Sequence, residues 1–295
     1  MTHGVALLRR PSTGTSSVRR RSNGRAGARR IASIDVQLPD LAALSAPYRL
    51  VCIAPHLDDA ALSLGGVLAA PPASAAPALV ITLCTAAPTA AYNAVAREFH
   101  GQWDLESDDI VGQRKREDVV AMATLGVDFV WLEVLDAIYR CPAAYHSRET
   151  LFAAPQADDP LIPFVAGLFA TLRRQLPQAQ IAVPLGVGEH VDHLICFAAA
   201  RQLLGDAAWY YEDIPYALRP GALERRLSAL DGRWTSRPMA IDDGLAAKIA
   251  AIGAYRSQIG ELFGGMAPMA SQIRDYAATV AEAGGVAERA WRVAP

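Results

Sequence analysis

Short apolar runs alternate with longer amphipathic stretches from residue 48 onward. Compact apolar runs favour β-strands, and stretches whose apolar residues recur every three or four positions favour helices. The predicted strands cover residues 48–54, 78–85, 128–134, 180–186, 208–218 and 236–242. The predicted helices cover residues 58–70, 113–126, 161–176 and 190–204, and the chain after residue 220 is mainly helical in pattern.

Strands that are separated by crossover helices form parallel sheets. The pattern therefore predicts an α/β fold, with a Rossmann-like, mostly parallel sheet and helices on both faces. No internal repeat and no second linker interrupts residues 34–295, so a single domain is predicted there.

Residues 1–33 differ in composition from the rest of the chain. They are rich in Arg, Ser, Gly and Thr, and such a segment buries too little apolar surface to offset the entropy lost on ordering. We therefore predict a disordered tail, although an Arg-rich tail could also contact anionic lipid or nucleic acid.

Charge argues against nucleic acid as a partner of the main domain. Residues 1–30 contain eight arginines and no acidic residue, which leaves 20 basic and 30 acidic residues in the rest of the chain. An acidic domain without a basic stripe repels phosphates. The expected partner is a small molecule, and the sequence leaves the oligomeric state open.

No transmembrane or secretory segment is predicted. Residues 60–96 are uncharged, but Pro71, Pro72, Pro77 and Pro88 interrupt them, and the apolar run near the N-terminus is too short for a signal peptide. The four cysteines are widely spaced, as is typical of reduced thiols, and we expect a cytoplasmic protein.

Two polar clusters follow predicted strands. Open parallel sheets bind ligands beyond the carboxyl ends of their strands, so residues at these positions are the first candidates for a site. Nitrogen and oxygen donors from two strand ends are what a hydrolytic zinc site requires, with one position left for water. The clusters are His56, Asp58 and Asp59 after strand 48–54, and His190, Asp192 and His193 after strand 180–186.

Each cluster has an ordinary structural interpretation as well. Asp58 or Asp59 could simply cap the helix that follows, and a HxxH pair on a helix is often structural. Because both clusters follow strands of the same predicted sheet, a shared metal site is favoured.

The two clusters also resemble a known pair of motifs. The segments APHLDDAALSLGG (54–66) and GEHVDHLICFAAA (188–200) are similar to the signature of the PIG-L/LmbE-like zinc-dependent N-acetylglucosaminyl deacetylases. The resemblance extends over residues 48–218 and includes RKREDVVAMATLGV (114–127) and LDAIYR (135–140).

This resemblance implies a role for each residue of the clusters. It implies one zinc ion per chain, with iron as the alternative metal, bound by His56, Asp59 and His193. Asp58 would be the general base that deprotonates metal-bound water. His190 would stabilise the tetrahedral intermediate or act as general acid, and Asp192 would orient His190.

Three further residues are candidates for substrate binding, namely Arg114, Asp136 and Arg140. Arg114 could equally pair with Glu117 or Asp118 on its own helix, and the other two could be surface charges. The residues that end strand 208–218 could form an aromatic rim for a sugar or belong to the core; they are Tyr210, Tyr211, Glu212 and Asp213.

Two departures from the family pattern stand out. Leu57 and Ala61 occupy positions that are commonly Pro and Glu in the first motif, and both lie outside the implied metal-binding set. Gly188 occupies the position at which some family members carry a tyrosine that acts as an oxyanion donor. Any such donor must come from elsewhere in this chain.

The function implied is hydrolysis of an amide. A zinc-dependent enzyme of this family would remove an acetyl group from the 2-amino group of an N-acetylglucosamine-containing conjugate. The alternatives are a metal- or sugar-binding protein without turnover and a hydrolase of another amide. The sequence does not specify the aglycone.

Overall fold

The structure is a computed structural model that describes residues 6–8, 47–70, 76–88, 94–102, 109–281 and 284–294. The strands are β1 (Ala6–Leu8), β2 (Leu50–Ala54), β3 (Ala78–Cys84), β4 (Asp128–Val134), β5 (Gln180–Pro184), β6 (Ala208–Tyr211), β7 (Trp234–Ala240) and β8 (Ala287–Val293). The helices are α1 (Asp59–Ala69), α2 (Ala94–Gln102), α3 (Ile110–Leu125), α4 (Ala137–Arg140), α5 (Arg148–Leu151), α6 (Leu161–Gln175), α7 (Val191–Leu203), α8 (Ala222–Ser228), α9 (Leu245–Ile252), α10 (Arg256–Phe263) and α11 (Met266–Val280). Short 3₁₀ helices cover Gly205–Ala207 and Tyr216–Leu218.

The described strands form one sheet of eight, in the order β1-β4-β3-β2-β5-β6-β8-β7. Strands β4, β3, β2, β5 and β6 are parallel, which confirms the predicted α/β fold. The first of these in the chain, β2, lies between β3 and β5, so the winding of the chain reverses beside it. Such a switch point opens a crevice at the carboxyl ends of the two neighbouring strands.

Burial explains the central position of β2 and β3. All of their residues are buried, as expected of parallel strands covered by helices on both faces. Helices α1, α3 and α9 pack together, and α6 and α7 pack together. One apolar core runs through the parallel part of the sheet and these helices.

Gly65 and Gly66 allow α1 to approach its neighbours closely. A Cβ atom on Gly66 would lie 2.7 Å from the Ile241 side chain, and one on Gly65 would lie 3.0 Å from Lys248 Cγ. The two glycines therefore serve packing.

The sequence-based assignment is wrong at the far end of the sheet. The predicted strand 208–218 ends at Tyr211. Glu212 and Asp213, which follow it, are buried and form ion pairs, and a 3₁₀ helix begins at Tyr216. Strand β8 was assigned to a mainly helical region, yet it lies between β6 and β7 and is antiparallel to both. The sequence pattern does not indicate a strand here because β8 contains charged residues. One of them, Glu288, is nevertheless buried, since it forms an ion pair.

One short element lies inside the segment predicted to be a disordered tail. Residues Ala6–Leu8 form an antiparallel edge strand against β4, at the only run of apolar residues in that segment. The other residues of 1–33 lie outside the described residues. Within the described ranges, no helix combines the length and the apolar character needed to cross a membrane.

Candidate metal centre

Both predicted clusters lie at the switch point between β2 and β5. His56 follows β2 and precedes α1, whose first residue is Asp59. His190 caps the N-terminus of α7, and His193 lies in the first turn of that helix. The reversal of the chain at β2 brings together residues that are more than 130 positions apart.

Three donor atoms form a nearly equilateral triangle. His193 Nε2 lies 3.3 Å from His56 Nδ1, and Asp59 Oδ2 lies 3.5 Å from His56 Nδ1 and 3.4 Å from His193 Nε2. Tetrahedral zinc with nitrogen and oxygen ligands separates its ligand atoms by about 3.3 Å. The triangle therefore fits a tetrahedral metal ion with a fourth position left for another ligand.

The electrostatic field at the triangle favours a cation. Burial lowers the pKa of His193, but the Asp59 carboxylate and the hydrogen bond to Asp213 outweigh burial and raise this pKa to about 10. Burial also opposes ionisation of His56, yet Asp136 and Asp192 hold its pKa well above the usual value. A divalent cation is stabilised by the same carboxylates.

A carboxylate orients the outer nitrogen of His56. Asp192 Oδ2 lies 3.1 Å from His56 Nε2, and Asp136 Oδ2 lies 3.3 Å from the same atom. Asp192, which the resemblance assigns to orienting His190, donates its backbone N–H to His190 Nδ1 over 3.3 Å, and its carboxylate also acts electrostatically on the His190 ring. In the first turn of α7 the Asp192 side chain points into the core, toward His56.

Arg140 lies behind Asp192 rather than in the cavity. Its guanidinium is 2.5 Å from Asp192 Oδ1 and forms bonds of 2.7 and 2.9 Å to the two oxygens of Asp159. Its side chain is 5% exposed. This geometry suits a residue that positions Asp192, and it differs from the substrate contact expected from the sequence.

His193 has an equivalent partner in Asp213. His193 Nδ1 lies 2.7 Å from Asp213 Oδ1, while Asp213 Oδ2 accepts the backbone N–H groups of Gly186 and Val187. Carboxylates that bind the outer nitrogen of a ligand histidine fix its tautomer and orientation. Sequence reasoning missed this role, although the position of Asp213 just after β6 was the signal that could have shown it.

Two other groups of three donors among the described residues lie close enough together to hold a metal ion: His56 with His190 and His193, and an inner group of His56, Cys84 and Asp192. In the first of these, His190 Nδ1 already accepts the backbone N–H of Asp192. Burial raises the pKa of the Cys84 thiol to about 12, and Asp192 adds to this effect. Asp192 is also bound by Arg140. The inner group is therefore a hydrogen-bonded network, and the triangle is the better metal site.

Asp58 occupies an unusual backbone conformation. Its φ is 129° and its ψ is −34°, and its side chain makes no capping hydrogen bond although it precedes α1. Strain of this kind is concentrated at functional sites. Burial raises the pKa of Asp58 to about 7, although Arg114, whose Nη2 is 3.6 Å from Asp58 Oδ2, lowers it.

Arg114 is directed toward the first motif. Its guanidinium donates to the Leu57 carbonyl over 2.9 Å. Glu117 accepts from Ser257, and Asp118 accepts from Trp131 and Tyr255. The hydrogen bonds of these two carboxylates thus go to other residues, while the charge of Arg114 still favours the ionised form of Asp118.

His190 differs electrostatically from the other two histidines. Burial and the neighbouring His56 lower its pKa to about 3. Because Nδ1 accepts from the backbone of Asp192, the proton of the neutral ring belongs on Nε2. His190 is thus arranged as a neutral hydrogen-bond donor.

A cavity of about 450 Å³ opens over the triangle. His56, Asp58, Asp59, His190 and His193 all line it. Arg114 and Asp136 line it as well, and apolar walls are supplied by Leu62, Ile138, Leu151, Phe152, Pro215 and Leu262. Its volume and mixed lining are typical of a small-molecule site.

Gly188 leaves room for Tyr216. A Cβ atom on residue 188 would lie 2.4 Å from Tyr216 Cγ, and the φ of 89° at this position also favours glycine. The Tyr216 ring packs edge-on against His193, with the ring centroids 6.3 Å apart. Tyr216 therefore fills the volume beside the second motif.

Of the two alternatives for the residues at the end of β6, the structure shows a position in the core and no aromatic rim among these residues. Tyr210 and Tyr211 are fully buried, and Glu212 is bound by Tyr276, Arg289 and Trp291. The rings face the core because β6 is covered on both sides.

Comparison with known proteins agrees with this geometry. The family model described as PIG-L, GlcNAc-PI de-N-acetylase, matches residues 51–204. The 2'-N-acetylparomamine deacetylase of Streptomyces fradiae is 30% identical over 220 residues, which cover 71% of this chain and 73% of that protein.

Solved structures show the same fold. The zinc-inhibited form of teicoplanin deacetylase Orf2 is 28% identical, with a TM-score of 0.69 over 83% of this chain and 98% of that one. The A40926 pseudoaglycone deacetylase Dbv21 is 24% identical, with a TM-score of 0.66 over 84% of this chain and 98% of that one. The second likeness speaks for the fold alone.

Proposed function

Because this chain belongs to the PIG-L family, we propose that it is a metal-dependent hydrolase that removes the acetyl group from the 2-amino group of an N-acetylglucosamine-containing conjugate. One observation carries the proposal: a triangle of metal ligands lies on the floor of an open cavity, with a further carboxylate, Asp58, beside it. A protein that only bound a metal would not need a strained carboxylate there.

His56, Asp59 and His193 would hold the ion, with zinc as the proposed metal and iron as the alternative. When bound, such an ion polarises an amide carbonyl and lowers the pKa of a water molecule. The tetrahedral spacing of the three donors and the carboxylates on both histidines support this assignment.

Asp58 is the proposed general base. Its carboxylate takes the proton from the attacking water, whose oxygen forms a bond to the amide carbon. His190 donates its Nε2 hydrogen to the carbonyl oxygen as negative charge develops there. The carbon–nitrogen bond then breaks as the nitrogen accepts the proton that Asp58 took from the water, and acetate and a free amine result.

The three candidates for substrate binding, Arg114, Asp136 and Arg140, are proposed to have different roles. Arg114 and Asp136 line the cavity and are proposed to contact polar groups of the sugar. Arg140 is proposed to act through Asp192 on His56, because both of its carboxylate partners are buried.

The relatives support a sugar-conjugate substrate. One is described as a deacetylase of 2'-N-acetylparomamine and another as a deacetylase of teicoplanin. Both names specify a deacetylation, and an acetamido sugar is the group that we assign to the metal centre of this chain.

Two variants test the proposal. We expect Asp58→Ala to retain metal and lose acetate release by about 10³-fold or more, since it removes only the base. His193→Ala should lose metal and activity together. Elemental analysis and acetate release from N-acetylated amino sugars measure the two effects. Full activity of a metal-free Asp58→Ala protein would contradict the mechanism.

A further inference from the structure

Three side chains after β6 lie at intervals of three residues: Asp213, Tyr216 and Arg219. The 3₁₀ helix Tyr216–Leu218 places Tyr216 and its C-cap Arg219 one turn apart, since side chains three residues apart lie above one another in such a helix. Arg219 N–H donates to Tyr216 O, and Asp213, which precedes the helix, accepts the Ala217 N–H through its carbonyl. The contacts of the three side chains then place them in a row.

The row leads away from the metal triangle. Asp213 binds His193, and the Tyr216 ring packs against His193. The Arg219 guanidinium lies over the Tyr216 ring, 5.6 Å from its centroid. Tyr216 and Arg219 both line the cavity, so the row connects the metal floor with the mouth.

Arg219 differs from the other two arginines of the cavity. Arg148 pairs with Glu98 and Glu261, and Arg114 contacts Leu57 and Asp58. Among the described residues, no carboxylate forms an ion pair with Arg219, whose contact is the face of Tyr216. A cation held on an aromatic face keeps its outward N–H groups available for an anion.

We propose that Arg219 binds an anionic group, a phosphate or a carboxylate, on the aglycone of the substrate. This inference rests on the proposed deacetylase function, since it places the acetamido group at the triangle and the aglycone at the mouth. The cavity lining has four carboxylates and three arginines, so a bound divalent cation makes its formal charge positive and favours an anionic ligand over a polycation.

The test compares pairs of substrates in which one member carries an anionic group and the other does not. Phenyl N-acetyl-β-D-glucosaminide and its 4-carboxyphenyl analogue form one pair. Methyl N-acetyl-α-D-glucosaminide and N-acetylglucosamine 1-phosphate form the other. These two pairs distinguish a carboxylate from a phosphate, and acetate release gives kcat/KM for each substrate.

The variants are Arg219→Gln and Arg225→Gln. Arg225 lies on α8, is exposed and does not line the cavity. Arg225→Gln therefore removes the same charge at a distance from the mouth of the cavity. We expect the wild type to prefer the anionic member of at least one pair, and Arg219→Gln to lower this preference about tenfold through KM. Arg225→Gln should leave the preference unchanged, and added salt should reduce it in the wild type.

A preference that is absent in the wild type, or that both variants lower equally, would overturn the inference while leaving the deacetylase proposal standing. If no substrate releases acetate, the deacetylase proposal fails separately. Titration calorimetry of the zinc-loaded proteins with N-acetylglucosamine 1-phosphate and with 4-carboxyphenyl N-acetyl-β-D-glucosaminide then decides the question. Weaker binding of either ligand by Arg219→Gln alone supports the anion site, and equal binding of both by the two variants refutes it.

Discussion

Two buried ion pairs of the same type lie in different regions of the molecule. Arg140 and Asp192 lie behind the metal triangle, 2.5 Å apart, with side chains 5% and 0% exposed. Lys248 and Glu288 lie between α9 and β8, 2.6 Å apart, with side chains 5% and 4% exposed. Burial and distance alone do not distinguish the two pairs.

The remaining contacts of each carboxylate do distinguish them. Glu288 also accepts the backbone N–H groups of Gly66 and Val67, each over 2.8 Å. These groups follow a break in α1 at Leu64, whose φ is −128°. The second oxygen of Asp192 accepts one backbone N–H, that of Ala137, and also faces His56. One pair therefore stabilises a kinked helix, and the other positions His56, a proposed metal ligand.

The comparison shows that a buried ion pair has no fixed meaning for function. Isolated pairs of this kind contribute little net stability, since desolvation offsets attraction. What matters is the group that the carboxylate holds besides its cation. Variants that break each pair should therefore differ more in metal affinity than in stability.

Glu288→Ala should give the largest loss of stability. It leaves the Lys248 ammonium and two backbone N–H groups without this acceptor, and breaking a buried pair costs about 3–5 kcal/mol. Denaturant unfolding measures the loss, with the exposed Glu224→Ala as control. The zinc affinity of the folded variant should be unchanged. A tenfold drop in this affinity would show that both ion pairs affect the metal site.

Arg140→Ala should affect both properties. It leaves Asp159 and Asp192 buried without their cation, at a cost of about 3 kcal/mol in unfolding free energy. Because Asp192 then holds His56 less firmly, metal affinity should fall about 10-fold. Competition with a chelator measures the affinity. If the variant is destabilised but its metal affinity is unaltered, this pair has only a structural role, like Lys248–Glu288.

Asp213→Asn should give the smallest change in stability. The amide oxygen can keep the N–H groups of Gly186 and Val187, so unfolding free energy should change by about 1 kcal/mol. The amide nitrogen cannot accept from His193 Nδ1, and metal affinity should fall about 10-fold. A loss of stability without any loss of affinity would show that Asp213 acts only on the loop.

The sequence predicted the parallel core and the two histidine clusters because each depends on local patterns. Apolar runs, interrupted only by Thr82, mark β2 and β3, and the clusters follow strands. The partners of the histidines were harder to identify. Asp192 contacts a histidine 136 residues away rather than its neighbour, and no local rule shows which way its side chain turns.

Strand β8 escaped prediction for a related reason. Glu288 binds Lys248, and the next residue, Arg289, binds Glu212. Charged residues that are buried in ion pairs on both faces remove the alternation by which a strand is recognised. Only the tertiary partners make this segment a strand.

Because the chain is synthesised from its N-terminus, the place of β8 in the sheet leaves other strands unpaired during synthesis. Among the described strands β7 pairs only with β8, and β6 completes its second side with the same strand. A ribosome releases residues 234–240 long before residues 287–293. Until then β7 has no partner in the sheet and β6 has a free edge, a condition that invites pairing between nascent chains. Of the described strands, the last to emerge is the one that joins β7 to β6.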